Sequence, residues 1–238
     1  MKKSPEIWVQ EIHQNAVVHG WWNEDRDFGE ICSLIHSELS EALEEYRNGR
    51  PLIYYHCGAG GSICDPQACA EIHRDPIYAE EPCDNRKDKP EGIAVELADV
   101  VIRIFDHFGF VDYVPGWNIL YPAEFMRELE STHGVTFNEM IRSVEYNAIS
   151  AAREKEGTYR SFGDFIANCH ADISSAYDAI EGKYVDEFAD RTSTSYLIAC
   201  VARIGYWFAY NKLDIETVIA EKHEYNKSRP YRHGGKKL

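Results

Sequence analysis

The sequence predicts an all-α protein. Three observations carry that reading. Apolar residues recur at three- and four-residue spacing through most of the chain, two acidic helices with clear start and stop signals dominate its first half, and a run in the second half repeats the first of those helices. Gly/Pro-rich stretches interrupt the pattern at residues 51–89 and 110–122.

Residues 4–19 form the first helix, with Ser4 as N-cap, Pro5 at the first helical position and Ile7, Trp8, Ile12 and Ala16 on one side. Gly20 ends it. His19 reads as a helix-end histidine rather than a ligand. Trp21 and Trp22 follow in the connection, and two roles stay open for them: core residues, or walls of a pocket in which an indole face stacks on a nucleobase.

The run F-G-E-I-C-S-L-I-H-S-E-L-S-E-A-L-E-E-Y-R-N-G-R-P, from Phe28 to Pro51, is a long amphipathic helix whose stripe is Ile31, Leu34, Ile35, Leu39, Ala42, Leu43 and Tyr46. Glu38 and Glu41 stand three residues apart, one above the other at the edge of the stripe. Two carboxylates held there repel unless a cation or a proton lies between them. The run from Pro90 to Gly109, P-E-G-I-A-V-E-L-A-D-V-V-I-R-I-F-D-H-F-G, is apolar nearly all round and so central, yet Glu96 and Asp99 interrupt it at the same spacing. Acids in so apolar a helix need a partner or a metal. Four carboxylates converging from two packed helices form a hard oxygen site for Mg²⁺ or Mn²⁺. Glu45, one turn beyond Glu41, reads as a surface residue before an extra ligand.

E-L-S-E followed by E-L-A-D resembles the ExxE…ExxD signature of the MazG-type all-α nucleoside triphosphate pyrophosphohydrolases. G-W-W at 20–22 and K-H-E-Y-N-K-S-R-P-Y-R-H-G-G-K at 222–236 strengthen the likeness. The resemblance implies a MazG-like helical bundle, metal ligation by Glu38, Glu41, Glu96 and Asp99, and a triphosphate grip in the C-terminal motif.

The second half contains a degenerate copy of the first. F-G-D-F-I-A-N-C-H-A-D-I-S-S-A-Y-D from Phe162 overlays the run from Phe28 without a gap, placing Asp172 at Glu38 and Ser175 at Glu41. The next helix, laid over its counterpart, puts Cys200 at Glu96 and Arg203 at Asp99. Most carboxylates are gone, so this copy should not bind the metal, and an ordinary ion pair is the favoured reading of Arg203. MazG-type chains pair their helical units because one short bundle buries too little apolar surface. Residues 1–110 are therefore expected to form a catalytic repeat and 111–238 a degenerate one, packed as an internal pseudo-dimer. Homodimerisation beyond this is left open. Further helices are expected at 123–132, 136–155, 161–182, 194–211 and 214–226.

Residues 51–89, rich in Cys, Gly and Pro, read as an insertion loop. Cys57, Cys64, Cys69 and Cys83, with His56 and His73 near them, offer ligands for a structural Zn²⁺. Their spacing matches no standard finger, and free thiols are the favoured reading.

The C-terminal helix and tail concentrate basic residues. Lys222, Asn226 and Arg229 follow one side of a helix, then Tyr231, Arg232, His233, Gly234, Gly235, Lys236 and Lys237. Arg offers a fork of donors to phosphate, Lys a point charge, and a Gly-Gly turn exposes backbone N–H groups.

Composition narrows the classes further. A net charge of −15 argues against a nucleic-acid partner, and no apolar run is long enough to span a bilayer. Seven cysteines with no signal-peptide pattern imply reduced thiols and a cytoplasmic setting. There is no GxxxxGK[ST] loop and no GxSxG elbow. The reading that joins these parts is a Mg²⁺-dependent nucleoside triphosphate pyrophosphohydrolase. One of the catalytic carboxylates Glu41 and Glu38, Glu41 first, would deprotonate water, and Lys222, Asn226, Arg229 and Tyr231 would stabilise the departing pyrophosphate. Two alternatives stand beside it: a non-catalytic nucleotide or alarmone sensor, and a zinc-stapled interaction module.

Overall fold

In the computed structural model the chain is mostly helical. Residues 3, 5–57, 62–64, 89–112, 160–181 and 189–235 are described. The elements are α1 (Pro5–Val18), α2 (Phe28–Arg47), β1 (Tyr55–Cys57), β2 (Ser62–Cys64), α3 (Ile93–Phe110), α4 (Phe162–Ile180), α5 (Ala189–Tyr210) and α6 (Ile215–Ser228), followed by a turn over Arg232–Gly235. The helices expected at 123–132 and 136–155 lie outside the described residues. Among those described, no helix is long and apolar enough to cross a membrane.

α3 is the central element, as its all-round apolarity requires. Ala94, Val95, Leu97, Ala98, Val100, Val101, Ile104 and Phe105 are all fully buried. α1, α2 and α6 pack on it, and α5 touches it more lightly. The start of α3 differs from the Pro90 expectation. Tyr54 and Glu91 exchange backbone hydrogen bonds (2.9 and 3.0 Å), which holds Glu91 extended, and the helix opens at Ile93 after Gly92. Gly92 takes φ +113°, and a Cβ there would lie 2.7 Å from the Leu52 carbonyl, so the turn demands glycine.

α2 begins where Asp27 accepts a hydrogen bond from the Glu30 N–H (2.8 Å), a carboxylate N-cap. Of its predicted stripe Ile31, Ile35, Leu39 and Ala42 are buried and Leu34 and Leu43 partly so, while Tyr46 is half exposed and meets the ring of Phe162. On α1, Trp8, Ile12 and Ala16 face inward as expected, but Ile7 is exposed and Val9 takes the buried place.

α4 repeats α2 position for position. Ser161 caps α4 as Asp27 caps α2. Phe165, Ile166, Cys169, Asp172, Ile173 and Ala176 are buried where α2 buries Ile31, Cys32, Ile35, Glu38, Leu39 and Ala42. The two helices pack antiparallel, with Tyr46 against Phe162 at one end, Gly29 beside Tyr177 at the other and His36 against His170 between.

The overlay of α5 on α3 needs correction by about one helical turn. Arg203 binds Asp172, as Arg103 binds Glu38. Arg203 is therefore the counterpart of Arg103, not of Asp99. In that register Leu97, Val101, Ile104 and Phe108 meet the identical, and likewise buried, Leu197, Val201, Ile204 and Phe208. Tyr196 and Ala199 then stand at Glu96 and Asp99. The ion pair expected for Arg203 is present.

The region read as a structureless insertion contains one small antiparallel pairing, Tyr55 with Cys64, His56 with Ile63 and Cys57 with Ser62. Cys69, Cys83 and His73 lie outside the described residues, as do the side chains of Cys57, Cys64 and His56, so the zinc reading does too.

Candidate metal centre

Glu38 and Glu41 on α2, and Glu96 on α3, offer carboxylate oxygens that all lie within 4.8 Å of one another. Helical spacing stacks the first two, and the packing of α2 on α3 delivers the third. Glu38 and Glu96 are buried; Glu41 is exposed. All three line a cavity of about 340 Å³ walled by α1, α2, α3 and α6.

The electrostatics are those of a site short of positive charge. Burial pushes the Glu96 carboxyl up to about 8; Lys222 opposes this, and Asp99 and Glu38 add to it. Glu38 is also raised, by burial first, with Arg103 opposing and Asp99 and Glu41 reinforcing. Acids crowded and desolvated in this way hold protons unless a cation replaces them.

Asp99 lines the same cavity but is taken by Lys222, whose Nζ lies 2.8 Å from Asp99 Oδ2. Both residues expected at the site therefore line the cavity, paired with one another, and the group of carboxylates within 4.8 Å of each other is Glu38, Glu41 and Glu96. Burial works against the Lys222 charge, but Asp99 and Glu96 more than offset it and hold the ammonium above its ordinary value.

Asn226, one turn along α6 from Lys222, and Arg229, the extended residue just past its end, also line the cavity, as do Trp21 and His233. Trp22 and Tyr231 do not. Trp22 donates from Nε1 to Asp106 Oδ1 (2.8 Å) and stacks on Phe110 at 4.1 Å, so it is a structural wall. Tyr231 lies on Gly20, where an added Cβ would come within 2.2 Å of the ring, and its hydroxyl accepts from Asn23 Nδ2 (2.7 Å).

The tail beyond α6 is held by the α1–α2 connection. His19 Nε2 lies 3.0 Å from the Arg229 carbonyl, and the Arg232 N–H donates to the His19 carbonyl (3.0 Å). Arg232 Nε donates to the Gly20 carbonyl (3.0 Å) and Nη2 to Glu24 (3.1 Å). His19 is thus the helix-end residue it was expected to be, and it positions Arg229. Arg232 serves the fold rather than the cavity. Lys236 and Lys237 are outside the described residues.

Glu45 is not part of the cluster; it hydrogen-bonds the buried Tyr54. The residue that sequence reasoning missed is Arg103, whose Nε donates to Glu38 Oε1 at 2.7 Å. A lone arginine between Ile102 and Ile104 in an apolar helix was the available signal, since such a charge requires a partner. Lys89 at the cavity rim was missed as well; it pairs with Glu91 at 3.0 Å.

Comparison with family models, with curated proteins and with solved structures finds no match to this chain.

Proposed function

We propose that the protein is a Mg²⁺- or Mn²⁺-dependent nucleoside triphosphate pyrophosphohydrolase of MazG type. The observation that carries the reading is the convergence of Glu38, Glu41 and Glu96 within 4.8 Å, in a cavity that Asn226 and Arg229 also line. The donor set fits a hard divalent ion: oxygen ligands only, two of them buried and raised in proton affinity. Glu38, Glu41 and Glu96 would hold the ion, with Asp99 behind them on Lys222. When bound, such an ion neutralises phosphate charge and acidifies water.

The chain's own residues supply the rest. Glu41, the exposed member of the trio, takes a proton from the attacking water. The water oxygen bonds to the α-phosphorus as the bond to the β-phosphate's bridging oxygen breaks, giving a nucleoside monophosphate and pyrophosphate. Arg229 and Asn226 meet the departing pyrophosphate with donors already oriented by α6 and His19. Trp21 offers an indole face at the α1 end of the cavity, where a base would stack.

The matching burial of α2 and α4 supports an internal pseudo-dimer, in which one helical pair keeps the carboxylates and the other keeps only the packing. That second pair also favours one other reading, a nucleotide sensor without turnover, because it maintains the acid–arginine pair with no chemistry beside it. Pyrophosphate release from a panel of nucleoside triphosphates with Mg²⁺ separates the two. Binding without release supports the sensor.

A further inference from the structure

Glu38 is the most buried acid of the cluster that also has a cation of its own. Arg103 approaches it through Nε on one oxygen, at 2.7 Å. A carboxylate can accept on both oxygens, so one guanidinium bond does not exhaust it. The same pair occurs again on α4 and α5, where Arg203 Nε donates to Asp172 Oδ2 at 2.6 Å. There the counterparts of Glu41, Glu96 and Asp99 are Ser175, Tyr196 and Ala199. The acid–arginine pair thus persists at the equivalent place with no companion acids.

Around α2 and α3 the balance differs. Glu38, Glu41, Glu96 and Asp99 line one cavity there, and two of them are ion-paired, Glu38 with Arg103 and Asp99 with Lys222. Glu41 and Glu96, which make no such ion pair among the described residues, lie within 4.8 Å of Glu38.

We infer that Arg103 is a positioning residue for the metal centre: from the cavity wall it holds Glu38 by one oxygen and fixes that carboxyl beside Glu41 and Glu96, leaving its second oxygen for the ion. The inference rests on the proposed function only for the presence of a divalent ion, and it concerns binding rather than turnover. Removing a group that orients a metal ligand typically costs about 10–100-fold in metal affinity.

The test is Mn²⁺ binding to the full chain without nucleotide, followed by electron paramagnetic resonance, for the wild type, Arg103→Met, Arg103→Lys and Arg203→Met. Folding of each variant is checked by circular dichroism. Arg103→Met is expected to lose about 10–100-fold in Mn²⁺ affinity. Arg103→Lys, which keeps the charge without the planar fork, recovers part of it. Arg203→Met, in the equivalent pair away from the carboxylates, stays within about two-fold of wild type, since it orients no ligand. Should Arg103→Met fail to fold, Arg103→Lys against Arg203→Met decides. Mn²⁺ bound as tightly or more tightly without Arg103 overturns the inference, as does a wild type that binds no Mn²⁺. A wild type that binds Mn²⁺ but releases no pyrophosphate sinks the proposed activity and leaves this inference standing.

Discussion

His36 and His170 meet Nδ1 to Nδ1 at 2.7 Å, their rings stacked with centroids 4.9 Å apart. They occupy equivalent places on α2 and α4, so each helix touches the other through its own counterpart residue. The proposed internal pseudo-dimer would produce such a contact between equivalent residues. Two imidazoles so close share at most one proton comfortably. Burial lowers both, and His170 lowers His36 further.

This contact gives a pH prediction. Because the folded values lie below the ordinary 6.5, the unfolded chain takes up protons first. Stability is full above that pH and falls as pH drops through it. Replacing His170 with Gln should flatten this acid limb by up to about 1 kcal/mol between neutral pH and pH 5, after allowing for solvent screening. Urea denaturation at the two pH values measures it. An unchanged limb would place the acid sensitivity elsewhere, with the more deeply shifted His107 and His223, both near 4, as the next candidates.

Glu96 gives a prediction of opposite sign. Its carboxyl, raised to about 8 by burial, stabilises the metal-free fold while protonated and costs stability as pH rises through that value. Glu96→Gln should therefore be more stable than wild type at alkaline pH without metal, on the order of 3 kcal/mol at most. The same variant should gain little from added Mg²⁺, whereas wild type gains by mass action. Thermal melts with and without the ion report both effects.

Glu41 separates chemistry from folding. It is exposed, and its one hydrogen-bond donor in the described residues is Ser37 at 3.3 Å. Glu41→Gln should change stability by less than about 0.5 kcal/mol, as surface replacements do. Loss of general-base function, typically worth about 10²–10⁴-fold, should appear in kcat. Comparable loss of fold and activity together would argue against the assigned role.

Gly20 links the tail to the cavity. At φ +77° with Tyr231 against it, Gly20→Ala faces both left-handed strain and a collision. A cost of about 1–2 kcal/mol or more is expected from the backbone alone. Because Arg232 and Arg229 are tied to the same connection, nucleotide affinity should fall with it. Isothermal titration with a triphosphate in Ca²⁺, compared with the melt, checks whether the two changes travel together.

Much of this was legible from residue types and spacing. The buried stripe of α2, the centrality of α3 and the meeting of Glu38, Glu41 and Glu96 follow from helical periodicity, because an acid at the edge of an apolar stripe can go only where two helices face. What spacing does not reveal is which cation each acid receives. Lys222 reaches Asp99, and Arg103 reaches Glu38, across the bundle, and such partners depend on packing between segments distant in sequence. The one-turn error in placing α5 has the same origin: two apolar helices match in several registers, and only the Asp172–Arg203 contact selects one. Trp22 and Tyr231 looked like ligand contacts because aromatic residues beside a motif suit either role. The fold uses both, one on Asp106 and one on Gly20.

The most direct measurement is pyrophosphate release from a panel of canonical and modified nucleoside triphosphates, with Mg²⁺, by wild type and Glu41→Gln. Stoichiometric monophosphate and pyrophosphate from wild type, abolished by Glu41→Gln and by chelation, is the predicted result. Release that persists in the Glu41→Gln variant, or a wild type that binds triphosphates and never cleaves them, would contradict the account.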